Sequence, residues 1–200
     1  MRSAARLVSL VAACAVAACA ALGLCACGPS EEEAIRDALA AELDQIAQTP
    51  TEDEMREALG GTYDELVAYG IEPSELYAAL YSRFEYEMGD VSVDGDTATV
   101  TLSVTNVDVG EALSNFERYA MEWMYSEEAL EIVMTQGEDA YVAAGMRLLV
   151  DALSDEGLGT VTEDVSIELR RDSDGSWRLA DEDEATRALL GGVDLGSASL

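Results

Sequence analysis

Nine consecutive residues, Thr97 to Thr105, alternate without a fault between hydroxyl and apolar side chains. Ala98, Val100, Leu102 and Val104 fall on one side, and Thr97, Thr99, Thr101, Ser103 and Thr105 on the other. Successive side chains of an extended chain point to opposite faces, so this run predicts a strand with one buried face and one lined with hydroxyls. Upstream, Phe84, Tyr86 and Met88 alternate with Glu85 and Glu87, Gly89 marks a bulge, and Val91-Ser92-Val93 runs into the hairpin signal Asp94-Gly95. Further on, Val161, Glu163, Val165, Ile167 and Leu169 alternate with Asp164, Ser166 and Glu168, and the turn Asp172-Ser173-Asp174-Gly175 leads to Trp177 and Leu179. That is a second hairpin. A sheet that is apolar on one face needs helices packed on that face alone, so the expected fold class is α+β: about four antiparallel strands in two hairpins, covered on one side by helices.

The helical segments carry their own punctuation. Ser30 and Glu33 have capping-box spacing and precede an apolar stripe of Ala34, Ile35, Ala38, Leu39, Glu42, Leu43 and Ile46, which should end near Thr49-Pro50. Thr51 with Glu54 opens a short helix that stops at Gly60-Gly61. Thr62 with Glu65 starts another that ends at Gly70, and Pro73 begins a fourth through about Ser82. From Gly110 to Ser154 helical spacing returns, with Leu113, Phe116, Ala120, Trp123, Leu130 and Met134 on one stripe. A break at Gly137 separates it from a second stripe of Tyr141, Ala144, Leu148 and Ala152. A last short helix is expected from Asp181 to Leu190.

The N-terminal segment has the layout of a signal peptide. Arg2 and Arg6 precede an almost wholly apolar run from Leu7 to Leu24, and Ala26 is the small residue before Cys27. An ordinary secretory signal, or an uncleaved helix long enough to span a bilayer, is the alternative. A stop-transfer helix ends in basic residues, however, whereas Gly28, Pro29 and a polar stretch from Ser30 follow here. Leu24-Cys25-Ala26-Cys27 resembles the lipobox of bacterial lipoprotein precursors. That resemblance implies signal-peptidase recognition of Leu24, Cys25 and Ala26, a diacylglyceryl group on the Cys27 sulfur, and a protein held by lipid at the outer face of the cell membrane. Two acyl chains anchor stably where one does not. The implied organisation is a signal peptide over 1–26, a lipidated cysteine and tether over 27–30, one α+β domain over 31–190 and a frayed tail over 191–200. Cys14, Cys19 and Cys25 leave with the signal and Cys27 carries the lipid, so the mature chain has no disulfide and no cysteine for zinc.

All 41 acidic residues follow Cys27. Eleven arginines, no lysine and no histidine make up the basic inventory, and two of the arginines precede the anchor, so the mature chain carries 9 − 41 = −32 formal charges. Nucleic acid draws its affinity from Lys and Arg and is excluded as a partner. Such a balance keeps a domain soluble and leaves a cationic partner open. Without His, Lys or a free Cys, the commonest general base and the commonest activated nucleophiles are missing, and accidental carboxylate pairs are too frequent to single one out. Gly60-Gly61 and Gly191-Gly192 lack the context of a phosphate loop. The expectation is a protein that is not an enzyme and needs no cofactor. Asp172, Asp174 and the run Asp181-Glu182-Asp183-Glu184 are the acidic candidates for calcium, but turn and helix-start chemistry accounts for them, and no metal is expected.

The order of elements, with the segments Val91-Ser92-Val93-Asp94-Gly95-Asp96-Thr97-Ala98-Thr99-Val100 and Asp174-Gly175-Ser176-Trp177-Arg178-Leu179-Ala180, is similar to the surface lipoproteins of Gram-positive bacteria. That resemblance implies a cystatin-like or nuclear transport factor 2-like cone, a curved antiparallel sheet wrapped around helices. Folds of this kind often keep a cavity between sheet and helix, which Tyr119, Trp123, Met124, Phe84 and Tyr86 would line, although plain core packing explains the same aromatic stripe. The functional expectation is a tethered, non-catalytic binding or interaction module, its partner a protein, a peptide or an envelope component met through the acidic surface or the hydroxyl-lined sheet face. The alternative is a receptor for a small molecule with an apolar pocket between sheet and helices.

Overall fold

The computed structural model describes residues 30–173, 175–180, 187, 189 and 190. The signal segment, Cys27, Asp174, the acidic run 181–184 and the tail 191–200 lie outside the described residues. Ser30 caps helix α1 (Glu31–Ile46): its hydroxyl accepts from the Glu33 N–H at 3.2 Å, and the Glu33 carboxylate accepts from the Ser30 N–H at 2.8 Å. Ile35, Leu39, Leu43 and Ile46 are its buried stripe. The helix ends short of Thr49-Pro50, because Ala47, Gln48 and Thr49 are exposed and give it nothing further to bury.

Thr51 and Glu54 form the expected capping box of α2 (Glu52–Leu59). At Gly60 the chain takes a φ of 54°, a left-handed turn that glycine enters freely, and α3 (Gly61–Ala68) starts at once. Thr62 therefore does not cap α3. It lies inside the helix and is 8% exposed, because Gly60 has already set the boundary. Pro73 opens α4 (Pro73–Leu80) as predicted.

Strands β1 (Glu85–Asp94) and β2 (Thr97–Val107) form the first hairpin, closed by Gly95 at φ 63° between Asp94 and Thr97. Their register slips between Met88 and Val91, where Gly89 predicted a bulge. The chain continues through α5 (Val109–Met124), α6 (Glu127–Thr135) and α7 (Glu138–Leu153). The break at Gly137 is present, with φ 94°. A second break, between α5 and α6, did not follow from the apolar spacing. Ser126 produces it by accepting from the Ala129 N–H at 3.1 Å and so starting a new helix in a new phase. Strands β3 (Thr160–Arg171) and β4 (Trp177–Leu179) form the second hairpin, with Leu169 opposite Leu179 and Arg171 opposite Trp177.

The four strands make one open antiparallel sheet in the order β1-β2-β3-β4. The fold is α+β, with seven helices among the described residues. The described residues divide into two compact units that interleave in sequence, one from 30–48, 84–105 and the described residues from 162 onward, the other from 49–83 and 106–161. In the first, α1 packs against β1, and Ala98, Val100, Leu102 and Val104 of β2 are exposed by no more than 3%. Burial of each of the larger ones contributes about 1.5–3 kcal/mol. In the second, α5 lies along α7, α6 packs on both, and α4 packs on α7. Among the described residues, no helix is long and apolar enough to cross a membrane.

Candidate functional site

The hydroxyl face of the first hairpin is built around Gly89. A Cβ there would stand 2.3 Å from Thr101 Oγ1, so only glycine lets the bulge lie against β2. The Thr101 hydroxyl accepts from the Asp90 N–H at 2.8 Å and pins the far side of the bulge. From α1, the Arg36 guanidinium donates to the carbonyls of Met88 at 3.2 Å and Gly89 at 2.6 Å. A charged donor on the helix thus grips two backbone carbonyls at the point where the ladder is irregular.

Beside the bulge lies an open concavity of about 480 Å³, reached directly from solvent. Its outward-facing side chains are Glu87, Thr101, Ser103, Asp164 and Ser166, and Gly89 forms its floor. Glu87 stands opposite Ser103 in the ladder. The hydroxyl row continues to Thr105, whose Oγ1 is 2.7 Å from Thr162 Oγ1. Three hydroxyls and two carboxylates converge here, a set that receives hydrogen-bond donors and positive charge.

The five aromatic and methionine residues predicted to line a pocket fall in two different units. In the first, Phe84 is buried and its ring lies 6.1 Å from that of Tyr86. The Tyr86 hydroxyl donates to Asp44 at 2.7 Å, and burial, followed by that carboxylate, pushes its pKa up to about 12. In the second unit, the Tyr119 hydroxyl donates to Asp155 at 3.1 Å, and Asp155 also accepts from the Gly157 N–H at 2.8 Å. The Gly157 bond first, and Tyr119 second, hold the Asp155 carboxyl below the usual range. Arg83 secures the same loop by donating to the carbonyls of Leu158 and, at 3.0 Å, Glu156. The Trp123 ring packs 4.9 Å from Tyr141, with Gly145 leaving it room on α7. Met124 is 47% exposed.

Of the acidic candidates for calcium, Asp172 is engaged by Arg178 and shapes the β3–β4 turn, where its carbonyl accepts from Gly175 at 2.9 Å. Asp174 and 181–184 are outside the described residues, as are Leu24, Cys25, Ala26 and Cys27. Among the described residues, no group of three or more acidic side chains is arranged to hold a metal ion. The alternation of Thr97 to Thr105 and of Val161 to Leu169 already places the hydroxyl and acidic positions of the concavity. The anchoring role of Arg36 has no signature in the sequence, since nothing there links a helix arginine to a bulge some fifty residues on.

By fold the chain is an α+β protein with an open antiparallel sheet faced by helix α1. No family model and no curated protein sequence matches it. Among solved structures, a putative lipoprotein of Bacillus subtilis, ycdA, superposes with a TM-score of 0.44 at 15% identity, over 84% of this chain and 48% of that one. The chain thus spans about half the length of that structure. Overlap at this level carries no argument about function.

Proposed function

We propose that this chain is a lipid-anchored extracytoplasmic protein at the outer face of the cell membrane, acting by non-catalytic binding. The observation that carries the reading is the sequence Leu24-Cys25-Ala26-Cys27 at the end of the apolar run, followed after Gly28 and Pro29 by the capped start of α1 at Ser30. A signal ending that close to a folded helix leaves room for a short tether and no other segment. On this reading Cys27 carries the lipid, and Leu24, Cys25 and Ala26 direct the cut. The similarity to cystatin-like and nuclear transport factor 2-like lipoprotein domains belongs to the same proposal, supported by the two hairpins and by Trp177 at the start of β4.

The binding half rests on the open, hydroxyl- and carboxylate-lined concavity and on an inventory without His or Lys. Cys27→Ala tests the anchor by cell fractionation. The expected result is a protein that is left unprocessed or released to the medium; normal processing with full retention in the membrane fraction contradicts it.

A further inference from the structure

Large apolar side chains on consecutive helices of the second unit stand in solvent. Met121, Met124 and Tyr125 occupy the i, i+3 and i+4 positions of one turn at the end of α5 and are 60, 47 and 84% exposed. Leu130, Val133 and Met134 repeat that spacing on α6 and are 59, 39 and 76% exposed. Residues three and four apart share a helix face, so each helix presents an apolar stripe. Tyr125 stands at the junction between the helices, next to the Ser126 cap, and α5 and α6 pack on each other. The structure leaves this much apolar surface bare although Ala129 of α6 is fully buried. Exposed apolar patches of this kind mark interaction sites.

Charge selects the occupant. Between Met121 and Met134 the charged residues are Glu122, Glu127, Glu128 and Glu131, all exposed. An anionic bilayer would meet these carboxylates along with the apolar stripes, and a second copy docked through the same face would set them against their equals. A segment with apolar side chains on one side and Lys or Arg around them satisfies both features, with flexible methionines adapting to its shape. We propose that the α5–α6 face docks a basic amphipathic segment of a partner protein. The proposal rests on the binding half of the proposed function and is independent of the lipid anchor.

The test uses the full chain in zwitterionic nanodiscs, with empty discs subtracted, and in parallel the Cys27→Ala chain, so that binding is read with and without the lipid. The probe is a synthetic helix of Leu and Lys with Leu at i, i+3, i+4 and i+7. Titration should show saturable binding that weakens several-fold between low and high salt. The double substitution Met121→Ser with Leu130→Ser should weaken it about tenfold or more, as the loss of two buried apolar anchors implies. Glu122→Gln with Glu131→Gln, which leaves the apolar stripes intact, should weaken it several-fold and flatten the salt dependence. Equal binding of a scrambled Leu/Lys peptide, or of a Leu/Glu helix, overturns the proposal. So does unchanged binding by the serine variant. If the discs themselves, or a second copy seen as a dimer in solution, occupy the face and exclude the peptide, the proposal is likewise wrong. Release of the Cys27→Ala variant from membranes tests the anchor alone, so failure of either reading shows separately.

Discussion

In the first unit, the apolar side chains of β2 are exposed by no more than 3%, whereas in the second Met121, Leu130 and Met134 are exposed by 60, 59 and 76%. Both runs are strongly patterned. A paired strand has only two faces, and once α1 covers one side of the sheet the alternation from Thr97 to Thr105 leaves no choice of direction. A helix stripe depends instead on where each helix begins, and one cap at Ser126 rotates the residues after it. The same kind of residue is thus fixed core in the hairpin and free surface on α5–α6.

The sharpest way to break this contrast is to truncate one residue from each region. Leu102→Ala should cost about 3 kcal/mol, by lost burial and a cavity, while Leu130→Ala should change stability by about 0.5 kcal/mol or less. Chemical denaturation of the two variants measures the difference; comparable losses would mean that the α6 stripe is packed. Gly89→Ala comes next. Its Cβ meets Thr101 Oγ1, and either the hydroxyl turns away from the Asp90 N–H or the bulge shifts, for a loss of about 2 kcal/mol. Adding Thr101→Ala removes the Oγ1 and should restore part of it, a coupling that a double-mutant cycle reads directly.

A smaller effect is expected at Asp155. A carboxyl held below its unfolded value adds stability that is present above about pH 3.8 and is lost as pH falls through the folded value. Tyr119→Phe removes the second of the bonds that hold it down, so the acid-unfolding midpoint should move to higher pH; an unmoved midpoint would leave Tyr119 outside that loop's stability. The smallest effect belongs to Glu42. One of its carboxylate oxygens is buried without a partner, and desolvation raises its pKa. The sign is opposite to that of Asp155: its contribution is full below about pH 4.5 and is lost as pH rises through the folded value. Glu42→Gln should therefore gain about 0.5 kcal/mol at neutral pH, the side chain being partly solvated, and nothing in acid. Equal gains at both ends of a pH series of melting curves would assign the effect to something other than charge.

The strands, the bulge at Gly89, the turn at Asp94-Gly95 and the caps at Ser30 and Thr51 were legible in the sequence, because each is set by residues within a few positions of one another. The stop at Gly60 was legible too, but the start of α3 at Gly61 and the break at Ser126 were not, since Thr62 offered a competing cap in one case and the apolar spacing ran unbroken through the other. Half of the candidate site was legible for the same local reason: alternation marks Thr101, Ser103, Asp164 and Ser166 as outward-facing. What gathers them into a concavity is pairing between segments some sixty residues apart and the grip of Arg36 on the bulge, neither of which leaves a local trace. The five residues expected to line a pocket divide between the two units, and a stripe of aromatic residues does not say which unit each will join.

The most direct test of the account is mass spectrometry of the N-terminal peptide of the protein isolated from its own membranes. The account predicts a chain beginning at Cys27 with a diacylglyceryl group on its sulfur. A chain that begins elsewhere, or an unmodified Cys27, would contradict it.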